Sequence, residues 1–158
     1  MNAKILSVSL ILIIALLCLG VARRHFVLQE KLQWDAVEAA HGKLRRNADY
    51  ARELARGAKG LNKLPTPLVA AFDALASAAP DEDPTLQLDN LVKEIRKSSF
   101  NNEFGSDLVT KLTTVQNRWI LMRQAEKKSF EDYSAWRDSA PQKLFLLGIP
   151  KRAAPSKL

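Results

Sequence analysis

The sequence predicts an all-α protein: an N-terminal transmembrane helix that continues into an elongated antiparallel helical bundle of three to four helices. Three observations carry this. Residues 5–22 contain no charged residue, and fifteen of the eighteen are apolar. Downstream, apolar residues recur at three- and four-residue steps along two long stretches, which marks one face of a helix. No stretch sustains period-two alternation, so no sheet is expected.

The apolar opening comes first. Eighteen helical residues reach about 27 Å, close to the bilayer core of about 30 Å. A signal-peptide core is shorter, about 7 to 15 residues. Retention as an anchor is therefore expected, with cleavage after Gly20-Val21-Ala22 as the alternative. Cys18 is the only cysteine, so an intrachain disulfide is excluded.

A long rod follows. Trp34, Val37, Ala40, Leu44, Ala48, Ala51, Leu54, Ala58 and Leu61 form its apolar stripe, and Glu38, Arg45, Arg52, Glu53, Arg56 and Lys59 its polar face. Pro65 and Pro67 end it near Leu64, because the residue before a proline resists helical geometry. "PLVAAFDALASAA" reads as a second helix with Leu68, Phe72, Leu75 and Ala76 inward. "PDEDP" is a turn. Leu88, Leu91, Val92 and Ile95 stripe a third helix that ends near Phe100. "NNEFG" breaks the chain, and Ser106 is the expected N-cap of the last helix. In that helix Leu108, Leu112, Val115, Trp119, Met122, Ala125, Phe130, Tyr133 and Trp136 recur over about 30 residues, roughly 45 Å, until Pro141. The expected division is an anchor at 1–22, a bundle at 23–140 and an apolar-basic tail at 141–158. In that tail Leu144, Phe145, Leu146, Leu147 and Ile149 either cap the bundle or dip into a bilayer interface, and a second, weak membrane contact is expected there.

The formal net charge is +7, all of it outside residues 5–22. Arg23, Arg24 and Lys31 are assigned to the membrane surface, where a basic residue gains about 1 kcal/mol from anionic lipid. Lys4 and the amino terminus stand against Arg23, Arg24, His25 and Lys31. The heavier side follows the span, which predicts a single-pass protein of the cell inner membrane with its bundle in the cytoplasm.

No constellation for catalysis assembles. Glu38 and His41 have the spacing of a carboxylate di-metal bundle, but no second pair completes it. "GAKGLNK" lacks the phosphate-loop pattern. Serines 98, 99, 129, 134 and 139 have no nearby histidine to act as base. The basic face of the first rod is interrupted by Asp35, Glu38, Asp49 and Glu53, which disfavours nucleic acid. Neither enzymatic activity nor a cofactor or metal is expected.

Two segments resemble a known family. From Trp34 to Gly60 the chain is similar to the LemA family's tryptophan followed by Leu-Lys-Arg-Arg-Ala-Asp-Leu-Ile-Pro-Asn. Leu44, Arg45, Arg46, Ala48, Asp49, Leu54, Lys59 and Gly60 fall in register. Asn117, Arg118, Arg123, Tyr133, Pro141 and Gly148 carry the match to that family's ending. Where the family has Leu-Ile-Pro-Asn, this chain has Tyr50-Ala51-Arg52-Glu53, and Glu126-Lys127 replaces the first Tyr-Asn, which marks a divergent member. The resemblance implies a bacterial membrane protein with a long helical bundle and no established enzymatic activity.

The expected role is binding: an interaction or scaffold protein with the lipid bilayer and an unidentified membrane or cytoplasmic protein as partners, homo-oligomerisation being left open. Arg45, Arg46, Asp49, Asn117, Arg118, Arg123 and Tyr133 are the candidates for partner contact or for setting bundle register. The alternative is an envelope-disrupting anchored helical protein such as a phage spanin subunit.

Overall fold

The computed structural model describes residues 3–59, 64–78, 82–98 and 103–155, and the regular structure among them is entirely helical. Helix α1 is Ala3–Lys59, α2 Thr66–Ser77, α3 Thr85–Lys97, α4 Glu103–Asp138 and α5 Ala140–Phe145. The chain divides into two compact units. One comprises α1 up to Val37 together with Ser129–Ala153, and the other is built on Glu38–Lys128.

The first described side chains of α1 carry no charge. From Val8 to Leu19 every described large apolar side chain is exposed. A helix that is apolar all round has to be buried in something other than water. This helix is long and apolar enough to cross a membrane, as a signal sequence near an N-terminus also is.

In the unit of residues 38–128, α2 and α3 pack against each other. Leu68, Phe72 and Leu75 of α2 and Leu88, Leu91, Val92 and Ile95 of α3 share one core with Leu108, Leu112 and Val115 of α4. Ala51, Ala55 and Ala58 of α1 join it. Their small side chains let helix axes approach toward the close end of the 8–10 Å range. Further along, Leu44 and Ala48 enclose the Trp119 indole.

Local chemistry sets the helix ends. The Pro65 carbonyl accepts from the N–H groups of Leu68 at 2.9 Å and Val69 at 3.1 Å, with Pro67 in the first turn of α2. Ahead of α3, Asp83 Oδ1 accepts from the Thr85 N–H at 2.9 Å and from the Thr85 hydroxyl. The end of α3 is fastened by Ser98, whose N–H and hydroxyl donate to the carbonyls of Glu94 and Ile95.

Four sequence expectations are corrected. Ser106 is not an N-cap: α4 already runs from Glu103, and the Ser106 carbonyl accepts the Thr110 hydroxyl at 3.0 Å. Only Gly105 opposes helix in "EFG", at about 1 kcal/mol, and packing from Leu108 onward outweighs it. Pro141 does not close α4 but lies in the first turn of α5, since Ser139 breaks the helix and restarts it. Arg52 is buried rather than on the solvent face, and Ala125 is exposed rather than inward. The expected ends of the first and third helices, Leu61 and Phe100, lie outside the described residues.

Candidate functional site

Extending the stripes at their own spacing brings polar residues onto them. Along α1, Glu30, Trp34, Val37, His41, Leu44, Ala48, Ala51, Ala55 and Ala58 follow alternating steps of four and three. Along α4 the same alternation runs through Leu108, Leu112, Val115, Trp119, Met122, Glu126, Ser129 and Tyr133. This four-three alternation is the spacing that a coiled-coil seam requires. Glu30, His41 and Glu126 sit on these stripes, and a polar group in such a place needs partners.

In the first unit Glu30 is 4% exposed. Its Oε1 accepts the Tyr133 hydroxyl at 2.9 Å, with Arg152 Nε at 3.4 Å and Arg137 Nη1 at 3.7 Å. Arg137 is equally buried; its Nη2 donates to the Ile149 carbonyl, while Nη1 has no hydrogen-bond acceptor. Arg152 lies over the Trp34 ring, 5.3 Å from its centroid, and its backbone N–H reaches Tyr133 Oη at 3.5 Å. Trp34 and Tyr133 meet edge to face at 5.2 Å. One carboxylate thus faces two guanidinium groups, and the cluster carries a positive excess. Burial, and then the hydrogen bond to Glu30, push the Tyr133 hydroxyl above its ordinary value.

The segment after α5 is folded back onto this cluster. Gly148 has φ 84°, a left-handed conformation that only glycine adopts without strain. It turns the chain so that Ile149 and Arg152 reach Arg137 and Glu30. Lys151 holds Asp138 at 2.7 Å, and that hydrogen bond lowers the Asp138 carboxyl below its usual range.

In the second unit His41 Nδ1 lies 2.6 Å from Glu126 Oε1, and Arg123 Nη1 donates to Glu126 Oε2 at 3.0 Å. Asn47 donates to the Val115 carbonyl at 3.0 Å. Arg52 reaches Asp49 at 2.6 Å and the Ala78 carbonyl at 3.3 Å. Glu38 is exposed and outside the His41 pair, and among the described residues no group of three potential metal ligands assembles. An open groove of about 430 Å³ is lined by Tyr50, Glu53, Leu54, Phe104, Leu108 and Lys111. The hydrogen bond to Asp107 raises Lys111 above the ordinary lysine value.

The residues singled out from sequence divide clearly. Arg45, Arg46, Asn117 and Arg118 are exposed, with no ion pair or side-chain hydrogen bond among the described residues. Asp49 and Arg123 are tied to Arg52 and Glu126. Tyr133 is fully buried. Of the membrane-surface set, Arg24 and Lys31 are exposed, and Arg23 donates to the Leu147 carbonyl at 3.4 Å. Sequence reasoning missed Glu30, Arg137 and Arg152 as one centre; the seam position of Glu30 was the available signal.

Compared with family models, with curated proteins and with solved structures, the chain finds no match in any of the three.

Proposed function

We propose that this chain is a membrane-anchored helical bundle of the LemA type, three to four helices packed antiparallel, that acts without catalysis as an interaction or scaffold protein of the bacterial inner membrane. The observation that carries the reading lies within the first unit. There the exposed apolar segment of α1 runs without a break into Phe26, Glu30, Trp34 and Val37, which pack against the chain's last helices. One helix therefore supplies both the membrane segment and part of a folded core, which favours an anchor that stays.

The contact surface is the exposed set Arg45, Arg46, Asn117 and Arg118, unpaired among the described residues. Exposed charges not engaged within the fold remain available to an acidic partner, where complementary charge sets specificity and association rate. The LemA resemblance rests on the motif residues alone and supplies the bacterial inner-membrane setting. The basic residues after the span favour a bundle on the cytoplasmic side.

A photo-crosslinking residue at Arg46, used in native membranes, tests the reading. It is expected to capture a defined membrane or cytoplasmic protein, and Arg45→Glu with Arg46→Glu is expected to abolish capture without lowering thermal stability. Mature protein beginning at Arg23 and recovered free of membranes overturns it.

A further inference from the structure

The apolar tail has two faces. Leu146 is buried, and Phe145 stacks on Phe26 with ring centroids 4.9 Å apart and planes at 12°. The ring stack holds α5 against α1. Leu144 and Leu147 point the other way and are 63% and 66% exposed.

Their position on the helix decides what they meet. Leu144, Phe145 and Leu147 line an open groove of about 290 Å³ together with Leu19 and Arg23. Leu19 belongs to the uncharged stretch, and Arg23 is the first basic residue after it. The Arg23 guanidinium donates to the Leu147 carbonyl. Leu147 thus lies beside the stretch of α1 between Leu19 and Arg23, where the apolar run gives way to charge. At that level a bilayer changes from hydrocarbon to headgroups.

We infer that Leu144 and Leu147 insert into the phospholipid interface of the same leaflet that α1 leaves, so that the protein holds the bilayer at two points. This rests on the reading of α1 as a retained span. The occupant of the groove is the bilayer itself: acyl carbons meet Leu19, Leu144 and Leu147, and headgroup phosphates meet the exposed Arg24 and Lys143. One further observation agrees. Leu28 and Leu32 of the same unit are also exposed apolar residues just beyond the basic pair, and apolar side chains beside cations are the composition that seats a segment in the interface plane. The second attachment fixes the tilt of α1 at the membrane surface, because a single helix pivots freely and a helix with a docked side arm does not.

The test uses the full chain in nanodiscs with a Cys18→Ser background. An NBD fluorophore is placed on Leu144→Cys, Leu147→Cys or, as a control for the span, Ile13→Cys. Quenching is read with lipids that carry a nitroxide either just below the headgroup or deep in the acyl chain. The expected result is strong loss of fluorescence at 144 and 147 with the shallow nitroxide, and at 13 with the deep one. Quenching at 13 with none at 144 and 147 overturns the inference and leaves the anchor intact. No quenching at any of the three overturns both. Unchanged helical circular dichroism verifies that the labelled variants are folded, as expected for two exposed sites.

Discussion

A carboxylate buried between two guanidinium groups is stabilised by them and also keeps them from being uncompensated, so its removal exposes more than its own loss. Glu30→Gln keeps an acceptor for Tyr133 but leaves Arg137 buried without a counter-charge. Breaking a buried pair from one side costs about 3–5 kcal/mol, and a matching fall in stability is expected in thermal melts of the purified protein. Tyr133→Phe removes one charge-assisted hydrogen bond and is expected to cost about 1–3 kcal/mol. Its pH signature separates it from simple loss of packing. The folded Tyr133 hydroxyl lies above the ordinary value, so its contribution is whole below about pH 10 and disappears as pH rises through the folded value. Alkaline unfolding of the native chain therefore includes a Tyr133 step that Tyr133→Phe lacks, readable as tyrosinate absorbance that lags in the folded state. The His41–Glu126 pair makes a different case. Substituting leucine at both positions gives an apolar seam, and replacing both partners of a polar contact by apolar groups of similar shape is close to neutral or stabilising. His41→Leu alone leaves Glu126 with Arg123 only. A double-mutant cycle is expected to show the double variant at least as stable as native and His41→Leu less so. These groups were hard to read in advance for a physical reason. Spacing marks a seam position, but whether a polar residue can occupy it depends on partners about 85 to 103 residues away. Ala125 is apolar, and apolarity alone points it inward, whereas the seam passes through Glu126.

Helices were far more legible than these contacts. In α3 all four residues expected inward, Leu88, Leu91, Val92 and Ile95, are buried, because a short amphipathic helix has one way to hide a single stripe. Its ends follow from Pro84 and Ser98, whose chemistry is local. The start of α4 is not legible from Gly105, because a glycine costs only about 1 kcal/mol in a helix, too little to break one that packing supports. The same small cost gives a sharp prediction for α1. Gly57 lies in the helix, and a Cβ built there meets nothing within 4 Å. Gly57→Ala is therefore expected to stabilise by about 1 kcal/mol, measured as a raised melting temperature. Gly148 behaves oppositely although its surroundings are equally open. Its left-handed backbone makes Gly148→Ala cost about 1–2 kcal/mol, and the strain falls on the turn that delivers Arg152 to Glu30. Limited trypsin digestion is expected to cleave at Lys151 and Arg152 faster in that variant. Acid has a related effect. Asp138 is held below its usual range by Lys151, so the contact is present above about pH 4 and is lost as pH falls through the lowered value.

Net charge and the apolar stretch would each hold the protein at a membrane, and in separable ways. The charge of +7 attracts the chain to anionic lipid, but such attraction is screened: the Debye length falls from about 10 Å at 0.1 M salt to about 3 Å at 1 M. Burial of residues 5–22 in hydrocarbon is indifferent to salt, and insertion of a transmembrane helix is effectively irreversible. Native membranes washed at 1 M salt are thus expected to retain the full chain, with detergent needed for release. A chain lacking residues 5–22 keeps Arg23, Arg24, Lys31 and the exposed leucines, so it is expected to bind anionic vesicles at low salt and to lose most of that binding at 1 M. Release of the full chain by salt would reassign membrane attachment to the basic surface. It would also leave the exposed side chains from Val8 to Leu19 without the apolar surroundings that their composition demands.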